Sequence, residues 1–440
     1  MEKKGLERNI GVIGGSAILI GYVIGASIFV LPGTVAAEVG PSVWLSYIIA
    51  SIMAILSALI AAGMSGVLAV PGASAEFVRR TWGEKMSLAY GICYLFIACL
   101  SLALVAYGMA YYVQALFPGV SIIAVALVAL VITGVFNLSG NKVLTAIQTA
   151  SVGLLVVGIA VFVLGSVPHI DVSNLTPMFP VGVFPVIAAS VTLSFSYAGF
   201  TALVDLGGEI KNPAKSLPRI LVISVAVVTV LYVFISLAMV GTVPYAELGN
   251  GAPAYLVATR FLPPGFDVAI TLVAIIGSYT TLFALIQANS RILYNLSENG
   301  YFPSVFTKLS KNGIPYNGVV LITIVAIIML VLLTSLIQYA NIIVFLLVGF
   351  YVLYAVGMLR IKTKMPEEYK NATFKFSGAG FYIWPVALIV GSVLYAIVVA
   401  KSDTQALIVG VVAAVVIYAV SALIIARKKK SARDTAKDKV

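Results

Sequence analysis

Charge is scarce in this chain. Asp, Glu, Lys and Arg make up 10% of its 440 residues, against 61% for the hydrophobic set. No soluble domain of that length hides so much apolar surface, which excludes a water-soluble globular protein and points to a polytopic membrane protein. Cysteine is nearly absent. Cys93 and Cys99 lie six apart on one expected helix, too far for a bridge within it, so no structural disulfide is expected. The single histidine, His169, falls in a loop and leaves no His/Cys metal set; no cofactor is expected. Alternating polarity is missing as well, and apolar runs of about 20 residues favour helices over a β-barrel. Paired acids, a metal set or a nucleophile at membrane depth are lacking, so an enzyme is not expected. The first apolar run has no clear cleavage site and leads into further spans, so no removable signal is expected.

What is present is a series of helical runs. Twelve spans are expected, at about 10–36, 42–69, 86–116, 120–137, 143–166, 182–208, 219–241, 267–297, 316–335, 338–360, 380–400 and 405–426. With the N-terminus inside, all 27 basic residues fall in cytoplasmic segments except Arg260 and Lys401. The positive-inside rule then places both termini in the cytoplasm. The net charge of +11 thus reflects topology, and no nucleic-acid partner is expected. The tail at Arg427, Lys428, Lys429 and Lys430 reads first as a topological anchor and second as a contact to anionic lipid.

Two stretches interrupt this pattern. In span 1, Gly25, Ala26 and Ser27 place three small residues near the midplane, where a plain spanning helix carries Leu or Val. Glycine is costly in a helix interior and permits other backbone angles. An opened helix leaves N–H and C=O groups without partners in hydrocarbon, tolerable only beside a cavity or a ligand. The alternative is close helix packing, since Gly11 with Gly15 and Gly21 with Gly25 are small-xxx-small pairs. In span 6, Ser194 to Phe200 repeats the interruption at similar depth. Five spans separate the two, so the second stretch belongs to an oppositely oriented half. Matched breaks in inverted halves are the arrangement of a midplane transport site.

Downstream, Asp205 and Glu209 precede Asn212 and Pro213, which stop the helix, while Ser216 and Pro218 suit the start of the next. With Ala288, Asn289, Ser290 and Arg291 in span 8, and Gly313 to Pro315 after it, three motifs are in place. Together with Gly25 to Phe29, Tyr197 to Phe200, Glu209 to Pro213 and Pro218 with Arg219, they resemble amino acid–polyamine–organocation (APC) transporters over essentially all twelve spans. The resemblance implies an all-α membrane protein of LeuT-type fold: two inverted five-helix repeats with broken helices 1 and 6, plus two peripheral helices. The expected divisions are 1–170, 171–362, 363–426 for spans 11 and 12, and a basic cytoplasmic tail 427–440. It further implies alternating-access transport of an amino acid or related amine across a prokaryotic plasma membrane, with substrate and bilayer as partners.

In the family pattern the substrate carboxylate meets N–H groups of Ala26, Ser27 and Ile28, beside Gly25, at the positive end of the following half-helix. The ammonium meets freed carbonyls around Ile24, Phe195 and Ser196. Side-chain selection falls to Phe195, Tyr197 and Phe200 with span 3, alongside Ala198 and Gly199. None is charged, so a small or medium neutral amino acid is the simplest expectation; a polyamine or cationic amino acid is the alternative, held by aromatic faces. Ser27 departs from the glycine common at its position.

For coupling, the lysine that some proton-coupled relatives carry in span 5 is missing, with Leu155 near the expected place. Thr280 and Thr281 resemble part of a sodium site, although a hard cation wants about five or six oxygens; hydrogen bonding between helices is the plainer reading. Asp205 and Glu209, one turn apart, offer a proton site, or else are wetted or paired with loop lysines. Proton symport, exchange and sodium symport all remain open. A nutrient sensor or a channel is the alternative of a different class.

Overall fold

The computed structural model describes residues 10–24, 27–68, 73–139, 142–202, 210–249, 251–263, 265–332 and 335–437. Among these, the regular structure is helical, apart from an isolated β-bridge between Ile10 and Ile210. Eight of the described helices are long and apolar enough to cross a membrane, and five more apolar helices are shorter.

The first apolar run is two helices, α1 (Val12–Val23) and α2 (Ser27–Val39), separated at Ile24, whose ψ of 89° leaves the helical region. Next come α3 (Val43–Val67), the amphipathic α4 (Ala73–Trp82), α5 (Glu84–Leu116), α6 (Ile122–Ser139) and α7 (Lys142–Ser166). Helix α8 (Val183–Leu193) runs into a 3-10 segment, Ser194–Ala202. Nine residues is long for a 3-10 helix, since its poorer hydrogen-bond geometry usually limits it to three or four, and such stretches mark hinges or strain.

Helix α9 (Pro213–Thr242) starts at Pro213, earlier than Ser216 and Pro218 had indicated. Pro213 takes the first helical position, where the missing N–H has no partner to lose, and Pro218 is accommodated inside the helix. Ser216 Oγ instead donates back to Lys211 O at 2.6 Å. The remaining helices are α10 (Pro253–Phe261), α11 (Phe266–Glu298), α12 (Tyr316–Leu332), α13 (Leu336–Leu359), α14 (Gly380–Ser402) and α15 (Thr404–Lys437). Helix α15 continues through the basic tail to Lys437, because Lys, Arg and Ala are good helix formers and cations suit a C-terminal end.

The two ends of the bundle differ chemically. At the basic end, Arg79 and Arg80 bond to Glu76 at 2.6 and 2.7 Å, and Arg80 also pairs with Glu368. Hydrogen bonding from Arg79 holds the Glu76 carboxyl below the usual range. Thr373 N–H donates to Gly66 O, and Lys428 Nζ donates to Asn299 O at 2.7 Å while lying over the Tyr301 ring. At the opposite end Arg260 meets Glu247 at 3.1 Å, and Asn341 Nδ2 donates to Asp403 at 2.9 Å. Between the ends lies an apolar core whose largest fully buried side chains include Tyr47, Tyr112, Tyr232, Phe29 and Phe200.

Candidate functional site

The two interrupted stretches meet. Ile24 ends α1, its N–H donating to Ile20 O at 2.8 Å, and Ser27 and Ile28 open α2; all three are buried. Gly25 and Ala26 lie outside the described residues. In the 3-10 segment, Ser196, Tyr197 and Phe200 are buried, while Phe195, Ala198 and Gly199 are half-buried. The connection between the stretches comes from α9: Tyr232 Oη reaches Ser196 O at 2.8 Å and Val23 O at 3.1 Å. A phenol has one proton, so it donates to one of these carbonyls at a time. Ser196 is one of the residues whose carbonyl the sequence offered as an acceptor, Val23 is the neighbour of another, Ile24, and both carbonyls are in reach of a protein hydroxyl.

Around this hydroxyl stands a group of three tyrosines. Tyr232 and Tyr47 have ring centroids 4.9 Å apart, and Tyr197 meets Tyr232 edge-on at 5.2 Å. Tyr197 Oη donates to Tyr47 O at 3.1 Å. Tyr47 Oη and Ser196 Oγ, near each other, are buried without a partner of good hydrogen-bond geometry. Two hydroxyls side by side, with no other partner, concentrate polar capacity where the interrupted helices meet. Tyr47 and Tyr232 were missed from the sequence. Their only signal there is a tyrosine hydroxyl set deep in an apolar run.

Helix α8 is also held from the side expected to be peripheral. Thr192 Oγ1, in its last turn, donates to Asn341 Oδ1 at 2.6 Å, and Asn341 passes the contact on to Asp403. Ser194 Oγ donates to Ser190 O at 2.8 Å and lies 3.0 Å from Tyr395 Oη of α14.

Towards the opposite end α2 is packed closely against its neighbours, a contact we call the seal. Tyr112 Oη donates to Phe29 O at 2.5 Å and accepts from Ala254 N–H at 3.4 Å, joining α5, α2 and α10. Gly33 lies so close to α10 that a Cβ there would be 2.1 Å from Pro253 Cβ. Towards the basic end, α1 buries Gly15, Ser16, Leu19 and Val23 but leaves Ile13, Gly14, Ala17, Ile18 and Gly21 exposed.

The sequence model of the amino acid permease family matches residues 14–440. The chain belongs to the amino acid permease family. Among similar curated proteins is the methylthioribose transporter of Bacillus subtilis (strain 168), 30% identical over 70% of this chain and 71% of its own length. The branched-chain amino acid permease BcaP of Lactococcus lactis subsp. cremoris (strain MG1363) is 27% identical over 84% of this chain and 87% of its own. Cationic amino acid transporter 9, chloroplastic, of Arabidopsis thaliana is 27% identical over 69% of this chain and 58% of its own. The chain is thus a membrane permease and not an enzyme, as its APC resemblance had indicated.

Of this permease's coupling candidates, Asp205 and Glu209 lie outside the described residues. Thr280 Oγ1 and Thr281 Oγ1 both donate to Gly277 O, at 2.8 and 2.9 Å, within their own helix and not between helices. Leu155 packs at the same place: a Cβ on Gly277 would lie 2.5 Å from Leu155 Cδ1. An aliphatic side chain therefore lies against the turn of α11 to which both threonines bond.

Proposed function

We propose that this permease is a secondary active transporter carrying small or medium neutral amino acids across the plasma membrane by alternating access. The observation that carries the reading is the Tyr232 hydroxyl bridging carbonyls of the two interrupted stretches in an uncharged centre. The amino acid carboxylate meets the positive end of α2 at Ser27, and the ammonium competes with Tyr232 for Val23 O and Ser196 O. The described centre has no charged side chain to balance a second substrate charge, which favours a neutral side chain. BcaP, whose name specifies branched-chain amino acids, points the same way. A cationic substrate is the second reading, supported by the tyrosine group and by the cationic transporters among the relatives.

In this reading the chain has twelve spans and cytoplasmic termini, with inverted repeats over 1–170 and 171–362, and the seal at Tyr112 and Gly33 faces outward. The uncovered face of α1 opens towards the cytoplasm. Coupling is by proton or by exchange, with Asp205 and Glu209 as the proton candidates and sodium at Thr280 and Thr281 as the alternative. Counterflow of labelled leucine in proteoliposomes tests transport, and competition by alanine, serine, phenylalanine, lysine and putrescine tests the substrate. Competition confined to lysine and putrescine would replace the neutral reading with the cationic one. No counterflow of any solute would leave a sensor.

A further inference from the structure

A cavity of about 360 Å³ lies at the opposite end of the bundle, beyond the seal. It falls within the size range of small-molecule sites, roughly 300–1,000 Å³. Tyr112, bonded to Phe29 and Ala254, and the contact of α10 with Gly33 stand between it and the interrupted helices. Its polar lining includes two side-chain acceptors. Glu247 contributes a carboxylate, and Gln114 offers its amide oxygen, because its nitrogen donates to Val120 O at 2.9 Å. Tyr111 and Tyr255 add ring faces, which attract cations, and Leu248 and Leu256 supply apolar wall. Arg260 meets Glu247 at 3.1 Å, but both side chains are about half exposed, so the pair is weak and open to displacement.

We infer that this cavity is a second binding site, for a primary-ammonium solute with an apolar body. The ammonium lies against the Glu247 carboxylate, the Gln114 amide oxygen and the tyrosine faces, and the body lies against Leu248 and Leu256. The role as a capture site ahead of the seal rests on the transport reading above; the existence of the site does not.

The test is equilibrium binding of labelled leucine and labelled isoamylamine to the purified full-length protein in nanodiscs, with unfolding temperature recorded for every variant. Leucine is expected to bind in two components and isoamylamine at the weaker site. Glu247→Gln should weaken the weaker component about fivefold, as loss of an exposed charge partner does. Arg260→Gln should strengthen it about twofold, because it removes the cation competing for Glu247. Opposite signs for these two variants support the site. Equal effects would reduce Glu247 and Arg260 to a structural pair and overturn it. A single leucine component abolished by Gly25→Leu, with no isoamylamine binding, would also overturn it while leaving the transport reading intact. Isoamylamine binding weakened by Glu247→Gln, with no leucine binding anywhere, would support the cavity and sink the neutral amino acid reading.

Discussion

The two pieces of the first span, α1 and α2, are 12 and 13 residues long and both apolar, yet they are packed in opposite ways. Ten residues of α2 are buried, on every face. Helix α1 buries one stripe and leaves the other bare, with Ile13 at 87% exposure. Hydrophobicity alone does not account for this contrast. Neighbours do: α2 is enclosed by α8, α9, α10 and the turn at Tyr245–Glu247, with Tyr112 of α5 added, while α1 rests mainly on α9 and the 3-10 segment. A helix clamped all round moves only with its surroundings; one held along a single stripe can tilt without first breaking a seal. The difference between the halves of this span is thus one of enclosure: α2 is surrounded, and α1 is held along one stripe.

Paired glycine substitutions break the contrast most directly. Gly33→Ala sets a methyl 2.1 Å from Pro253 Cβ, at the rigid start of α10, so the seal must shift. We expect a loss of about 2–3 kcal/mol in stability, as for overpacked cores. Faster labelling of an added Ala252→Cys thiol should accompany it; unchanged labelling with unchanged unfolding temperature would remove the clamp from the account. Tyr112→Phe should have a smaller effect, about 1–2 kcal/mol, because it deletes one hydroxyl between Phe29 O and Ala254 N–H without changing shape. The same thiol should again label faster, and a variant as tightly closed as the parent would show that packing alone shuts this end.

The smallest effect, and of opposite sign, is expected for Gly21→Ala. A Cβ there has nothing within 4 Å, so the variant should gain helix stability of roughly 0.5–1 kcal/mol. Thermal unfolding with and without leucine checks this. A destabilised variant would show that the bare face of α1 is packed after all.

The interruptions were legible in the sequence because their signals are local. Three small residues at 25–27 inside an apolar run announce a break, and α1 ends at Val23 while α2 begins at Ser27. The hydroxyl-rich run from Ser194 became a 3-10 segment instead of a plain helix, as its composition had warned. What connects the breaks was not legible. Tyr232 lies 209 residues from Val23 and 36 from Ser196, and no periodicity tells which tyrosine in an apolar run will find a carbonyl. Thr280 and Thr281 show the same gap from the other side: their spacing leaves open a bond between helices, but the carbonyl of Gly277 lies nearer. Helix starts also misled, since Pro213, read from the sequence as a stop, takes the first position of α9.

The bridge between Ile10 and Ile210 has a mechanical consequence. Lys211 N–H donates to Ile10 O at 2.8 Å, so the lead-in to α1 is laced to the corner that precedes α9. Any tilt of α1 that keeps this bond must pivot about residue 10 and carry the corner at 210–213 along. A tilt that breaks it releases two main-chain polar groups at a half-exposed corner. The half-covered helix is thus held at both ends by bonds to its own carbonyls: at residue 10 by the Lys211 N–H, and at Val23 by the Tyr232 hydroxyl, so a tilt that keeps the first must trade the second.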